Sequence, residues 1–197
     1  MEDGFMRAGT TGVTANTPQQ LVFGAGTIHK GLKYSGSEWN FDESIVGATA
    51  EGTKLNIVPE VTPITADGVH VAMKGMLRKT GETATLEAKF IVITPDIIKA
   101  TTLGANGTPH ADGSAVIESK ADITDDDYWE NVAYVGVMLD GEPVIAILDN
   151  ALCKTGMNLE AKDKENAAIT ATFECTAELG ADGDKLPWRI LYPKRGA

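Results

Sequence analysis

Apolar and polar residues alternate with a period of two along much of the chain, a pattern typical of strands with one buried face. The alternation is complete from Ile169 to Ala177, where the apolar residues are separated by Thr or Glu. A shorter alternating run over 157–161 comes before it, and the polar residues 163–166 lie between the two. The pattern therefore predicts a β-hairpin over residues 156–177.

A second hairpin is predicted around Asp140-Gly141, a dipeptide that readily supplies the positive φ of a two-residue turn. It joins the apolar segments Val132–Leu139 and Val144–Leu148. Both arms are apolar on both faces over part of their length, whereas a strand with a solvent-facing side would alternate. We expect this hairpin to lie in the centre of a sheet.

A third hairpin is predicted from Val69–Arg78, through a turn at 79–82, into Thr83–Ile93. The remaining predicted strands are Leu21–Gly24, Ile28–Tyr34, Leu55–Ile64 and Trp188–Tyr192. Pro59 and Pro63 interrupt the strand that begins at Leu55, because proline cannot donate to a strand ladder. That strand is expected at a sheet edge or a bulge.

One helix is predicted after Thr94, which can cap it. Pro95 suits its first turn, Asp96 complements the positive end of the helix, and Gly104 offers a left-handed stop. With a single helix among about nine strands, the chain is predicted to be all-β with one flanking helix, as a β-sandwich or open barrel.

The start of the chain differs from this β pattern. Residues 1–20 contain few apolar residues, and we predict a flexible arm that takes a fixed structure only on binding, with Phe5 as its anchor. A single β domain is predicted over residues 21–193, followed by a short C-terminal tail at 194–197.

A long irregular stretch, residues 35–53, lies within that domain. Connections longer than about 12–15 residues without regular structure are uncommon and usually carry function. This stretch sets four larger apolar residues among small and acidic ones: Trp39, Phe41, Ile45 and Val46. Two interpretations remain open. The stretch is either a protruding hairpin that docks on a neighbouring subunit through these residues, or a lid folded over its own core.

The charge balance is strongly acidic, with 17 Lys and Arg against 28 Asp and Glu and a formal net charge of −11. Nine of the acids lie between Glu118 and Asp149, against the single base Lys120. They form either a solvated loop or a surface that must not hold DNA, since acidic groups repel phosphates. The candidate residues for this acidic loop or surface are Asp125, Asp126, Asp127 and Glu130.

Residue types that carry catalysis or bind metals are sparse. The three histidines are isolated and lack the spacing of a zinc site, so we expect neither a metal nor a cofactor. Cys153 and Cys175 are interpreted as buried thiols. The chain is predicted not to be an enzyme. The alternative is a hydrolase with an unfamiliar site, and the carboxylate pair Asp126 and Glu130 is the one feature of the sequence that supports it.

Membrane attachment is not expected either. Apolar runs stay well below the roughly 18 residues of a membrane span, and the first residues lack a basic, apolar leader. We therefore expect the protein to be made and kept in the cytoplasm.

Taken in order, these features resemble the major tail proteins of siphophages and related prophages. A flexible arm, a strand pair, a long aromatic-bearing loop and a proline-containing strand come first. A hairpin that runs into the helix at 94–98 and late hairpins ending in the segment 186–193 follow. The resemblance covers nearly the whole chain and rests on arrangement, because this family has no diagnostic short motif. It implies two packed antiparallel sheets flanked by one helix, a fold shared with the tubes of contractile tails and type VI secretion systems.

The resemblance also implies a function. Six subunits would form a ring whose sheets join edge to edge, and a long loop and the terminal arms would stack the rings into a tail tube. Double-stranded DNA would pass through the tube without specific binding. The implied inter-ring and intersubunit contacts are Phe5, Trp39, Phe41, Ile45 and Val46.

Other proteins of the virion are implied as partners. Besides further copies of this chain, they are the tape-measure protein and the tail terminator or baseplate proteins. The implied location is the virion tail, after assembly in the host cytoplasm. The alternative from a different class is a capsid decoration protein or a baseplate binding module, which would attach to another protein or a glycan.

Overall fold

The computed structural model describes Thr17 and residues 21–194, and the chain is mostly β, with 45% strand and 9% helix. The predictions for the arm, including Phe5, and for the last three residues of the tail lie outside the described residues. The strands are β1 (Val22–Lys30), β2 (Thr49–Pro63), β3 (Leu77–Phe90), β4 (Ala105–Asn106), β5 (Ile117–Glu118), β6 (Trp129–Met138), β7 (Pro143–Cys153), β8 (Leu159–Glu160), β9 (Ala168–Cys175) and β10 (Trp188–Leu191). The helices are α1 (Phe41–Ser44), α2 (Pro95–Thr102) and a 3-10 turn (Asp125–Asp127).

Eight of these strands form one antiparallel sheet, and β4 and β5 form a small second sheet. Six strands follow the order β1-β6-β7-β9-β3-β2, while β10 pairs with β7 and β8 pairs with β9. The sheet curls so that its first strand, β1, comes close to the segment that leads into its last strand, β2. A hydrogen bond joins the two, in which the Val46 N–H donates to the Ile28 carbonyl oxygen at 2.9 Å. The predicted all-β antiparallel class is confirmed.

The main core lies inside the curl. Its centre is the pair Trp129 and Phe173, whose ring centroids are 4.5 Å apart. Strand β9 buries Ile169, Ala171, Phe173 and Cys175, as its alternation predicted, whereas Ala177 lies beyond the strand and is exposed. The two cysteines are free and buried, which confirms the prediction of buried thiols.

Strands β6 and β7 are covered on both faces. Val132 and Leu148 belong to the main core, while a second apolar cluster occupies the opposite face, comprising Leu32, Ala133, Val135, Ile145 and Ile147. Central placement of this hairpin was predicted from its continuous apolar pattern and is confirmed. The turn has three residues, 139–141, where two were predicted, and Gly141 takes the positive φ of 90°.

Helix α2 forms where its capping residues predicted it. The Thr94 Oγ1 accepts a hydrogen bond from the Ile97 N–H at 3.4 Å, and Ile97 is fully buried in the main core. The left-handed residue at its end is Leu103 (φ 51°), where the sequence predicted Gly104. Gly104 is required for another reason, since a Cβ there would lie 2.8 Å from the Ile117 Cγ2.

The predicted third hairpin, with its turn at 79–82, is wrong. Strand β3 runs straight through these residues and pairs along its whole length with β2, and the loop between the two strands is 64–76. Gly81 lies opposite Glu60, next to a bulge between Glu60 and Val61. The long ladder to β2 outweighs the local turn tendency of 79–82, because each residue pair adds cross-strand contacts. The edge position and bulge predicted for the proline-containing strand are confirmed.

Two further boundaries differ from the sequence predictions. The predicted strands Leu21–Gly24 and Ile28–Tyr34 are joined in one strand, β1, which stays continuous through a bulge between Phe23 and Thr27 and ends at Lys30, four residues before the predicted end. The predicted irregular stretch 35–53 contains α1, a second short helix beside the one predicted, and the first residues of β2.

Candidate assembly surfaces

A two-stranded ribbon, residues 57–84, extends from the edge of the sheet, and only at its base do Ile57 and Ala84 still pack in the main core. It consists of the outer parts of β2 and β3 and the loop 64–76. Strand β9 pairs with β3 only over Thr85–Phe90, so the ribbon has no third strand among the described residues. An isolated two-stranded ribbon has little core of its own.

The ribbon is unusually apolar for an exposed structure. Six of its large apolar side chains are between 46% and 71% exposed: Val58, Val61, Ile64, Val71, Met73 and Leu77. A concentration of exposed apolar groups of this kind is typical of a surface that another molecule covers. Sequence reasoning missed it, because these residues were divided between two predicted strands. One sequence signal could have indicated this surface: apolar residues lie beside prolines 59 and 63, in a strand already expected at an edge.

Several strand edges lack a partner within the described part of the chain. Strand β10 pairs only with β7, the first residues of β1 pair only with β6, and the outer side of β2 is unpaired. Unpaired edges are templates for pairing with another chain. Pro59 and Pro63 blunt the edge of β2, whereas β10 contains no proline.

The 33–44 segment folds back over the second apolar cluster. Trp39 and Phe41 are partly buried against this cluster, and their rings stack on each other at a centroid distance of 6.3 Å. The sequence left open a protruding hairpin or a lid, and for Trp39 and Phe41 the structure shows the lid. Val46 packs against the main core, and Ile45 is about half exposed. Contacts of these four residues with another subunit stay a prediction.

His29 holds this lid in place. Its Nδ1 lies 2.8 Å from the Ser44 Oγ, which donates its own proton to the Asn40 carbonyl, so Nδ1 carries the hydrogen and Ser44 accepts. The Nε2 then accepts from the Thr27 hydroxyl at 2.7 Å. Burial lowers the pKa of His29, and hydrogen bonding to the Phe41 backbone opposes this only in part. The imidazole is therefore neutral at pH 7 and serves as a structural bridge between β1 and α1.

The candidate acidic residues do not form one surface. Asp127 is buried, while Asp125 and Asp126 are exposed on the same 3-10 turn. Glu130 is exposed and pairs with Lys33 at 2.8 Å. Asp127 caps the turn by accepting from the Thr124 N–H at 2.8 Å and forms an ion pair with Lys120. Its role in the structure is therefore local, and only the other three acids can face solvent or a lumen.

Replacing Lys120 with Met should lower the free energy of unfolding by about 2 kcal/mol at pH 7, because Asp127 would keep a buried charge without its counterion. Burial by itself raises the pKa of Asp127, but hydrogen bonds from Lys120 and Thr124 outweigh it and hold this pKa below its usual value. A lowered pKa in the folded state contributes stability above the unfolded pKa and loses it as the pH falls through the folded one. Urea unfolding of both proteins between pH 3 and 7 tests this.

The difference between the two proteins should shrink as the pH falls through the ordinary carboxyl pKa of about 3.9 and on through the lower folded-state pKa of Asp127, because protonation removes the charge that Lys120 pairs with. Replacement of the exposed Lys164 by Met is the matched control and should change stability by less than about 0.5 kcal/mol. An equal loss in both variants would show that the Lys120–Asp127 pair has no special role.

Two open grooves flank the loop 176–187. The first has a volume of about 980 Å³ and runs from Trp39 and Asn131 to Leu186 and Arg189. Its charged groups are largely paired with one another, since Arg189 donates to both carboxylate oxygens of Asp149, at 2.7 and 3.2 Å. Burial raises the pKa of Asp149, and Arg189 opposes this. The second groove, of about 780 Å³, lies between Tyr128 and the residues around Leu179.

Within the described part of the chain, no group of three or more His, Cys, Asp or Glu residues is placed to hold a metal ion. None of the helices in residues 21–194 is long and apolar enough to cross a membrane. No protein-family model matches the sequence, and no curated protein matches it either.

Proposed function

We propose that this chain is a structural subunit that assembles with copies of itself into a tube, in the role that major tail proteins have in long-tailed phages. The observation that carries the proposal is the ribbon 57–84, whose six large apolar side chains remain exposed in the single chain. Covering a half-exposed aliphatic side chain contributes about 1 kcal/mol. A second copy that covered several of them would be held strongly.

The unpaired strand edges support the same proposal. An edge that is an aggregation hazard in a monomer becomes an interface when identical chains pair in a closed ring. Strand β10 and the first residues of β1 offer such edges at different places in the sheet. Contact between two different patches on identical chains is head-to-tail, and it closes into a ring if the rotation allows.

The charge of the chain suits a conduit for DNA. A lumen lined with Lys and Arg would hold phosphates through counterion release, whereas an acidic or neutral wall lets a polyanion pass. The net charge is −11, and nine of the described Lys and Arg side chains are already paired with carboxylates of the same chain. We therefore propose that DNA moves through the tube without specific binding.

Self-assembly and its dependence on the ribbon test the proposal together. The purified chain should form hollow rings or tubes in negative-stain electron micrographs. The variant Val71→Ser/Met73→Ser should stay folded but lose assembly, because it removes apolar contact area without touching the core. The matched control is Ile123→Ser/Met157→Ser, which changes two exposed apolar side chains outside the ribbon and should assemble normally.

A chain that stays monomeric at high concentration contradicts the proposal. A small oligomer that gains partners only when capsid is added would instead favour a decoration protein. Assembly by the ribbon variant at the wild-type concentration would show that the ribbon is not the interface.

A further inference from the structure

The outer part of the ribbon is basic in an acidic protein. The ribbon tip, residues 61–78, carries Lys74 and Arg78 against the single acid Asp67, a net charge of +1 where the whole chain has −11. Neither Lys74 nor Arg78 forms an ion pair with the described residues. The tip also holds Val71 and Met73, the former 71% exposed. It therefore presents apolar groups beside unpaired positive charge.

The second groove has the complementary character. This acidic groove is bounded by Asp125, Tyr128 and Glu130 on one side and by residues 176–183 on the other. Its volume of about 780 Å³ falls within the range of about 300–1,000 Å³ typical of clefts that hold a drug-sized ligand, so a few side chains of a hairpin tip fit. Leu179 at its rim is fully exposed.

Charge separates the two grooves as candidates for the ribbon tip. In the first groove, Arg189 pairs with Asp149, Lys33 with Glu130 and Lys185 with Asp182. Among its described lining residues this leaves one unpaired charge, Glu178, which lines both grooves. In the acidic groove, Asp125 and Glu178 have no ion-pair partner within residues 21–194. Complementary charges of this kind steer association and set its register.

We infer that the acidic groove of one copy receives the ribbon tip of a second copy, with Lys74 and Arg78 next to Asp125 and Glu178. The inference rests on the proposed self-assembly and adds which two surfaces meet. The tip does not fill the groove of its own chain, since Val71 and Leu179 are both exposed there. Because tip and groove are different patches, each copy can receive one neighbour and enter another, which is the head-to-tail contact that repeats.

Charge reversal tests the pairing. A tip variant, Lys74→Glu/Arg78→Glu, and a groove variant, Asp125→Lys/Glu178→Lys, should each raise the protein concentration needed for assembly about tenfold, because two attractive pairs become repulsive. An equimolar mixture of the two variants should assemble near the wild-type concentration, since each reversed surface then meets its complement. Light scattering at low salt measures all three samples, because screening weakens exposed charge pairs.

The control for the tip variant is Lys164→Glu/Lys194→Glu, which makes the same change in net charge with two exposed bases outside the ribbon and should leave assembly unchanged. If the wild type assembles but neither reversal has an effect, or the mixture shows no rescue, this inference is wrong. The proposed self-assembly would then still hold. A wild-type chain that never assembles overturns the proposed function as well. Circular dichroism confirms that each variant is folded, so a loss of assembly reports on the surface.

Discussion

Replacing Phe173 with Ala should lower the free energy of unfolding by about 4 kcal/mol, the typical cost of removing a buried aromatic ring. Phe173 is 1% exposed on β9, at the centre of the main core, and its ring lies 4.5 Å from that of Trp129. The variant loses the transfer free energy of the ring, leaves a cavity and breaks an aromatic pair. Thermal unfolding should show a melting temperature lower by about 12 °C.

The control for this prediction is Phe173→Leu, which keeps most of the volume and should cost less than about 2 kcal/mol. Both variants should be measured at one low protein concentration, because association stabilises the folded chain. A loss below 1 kcal/mol in the Ala variant would show that β9 does not bury this face against β6.

Substitution of Gly26 by Ala should destabilise the chain by about 3 kcal/mol, whereas the same change at Gly24 should cost about 1 kcal/mol. Both glycines lie in the bulge of β1 and have positive φ, 69° and 84°, so both substitutions strain the backbone. A Cβ at Gly24 meets no atom within 4 Å, but one at Gly26 would overlap the Tyr134 ring and lie 2.7 Å from the Val135 carbonyl oxygen. The difference between the two variants isolates the collision.

Hydrogen exchange would locate the damage from the Gly26 substitution. The amides that join β1 to β6 should lose protection first, since Gly26 lies in the bulge of this ladder. Under the proposed function, the variant should also assemble poorly, because β1 carries one of the unpaired edges. Equal stability losses in the two glycine variants would show that the close approach to Tyr134 is absent in solution.

Local signals explain the parts of the fold that could be predicted. The alternation over 169–177 places the buried face of β9, and the continuous apolar pattern of β6 and β7 places that hairpin at the centre. The capping residues of α2 lie within four positions of the helix end that they stabilise. Each of these features depends on residues close together in the chain, so the sequence carries the whole signal.

The candidate surfaces depended on residues far apart in the chain. The pattern around Trp39 and Phe41 was compatible with a protruding hairpin or a lid, and the lid forms because strands β6 and β7 expose a second apolar face to it. The acids 125–127 and 130 looked alike in sequence. Burial and the ion pair with Lys120 separate Asp127 from its neighbours.

By itself, the sequence determined the all-β class, the helix with its cap, the central hairpin and the acidic charge, since period, capping and composition are local or additive properties. Only the tertiary structure decided that β3 continues across the predicted turn at 79–82 while it pairs with β2. It also decided that the two strands continue as an exposed apolar ribbon. The physical reason is that strand pairing depends on the sum of many cross-strand contacts between distant segments, and no single stretch of the chain contains that sum.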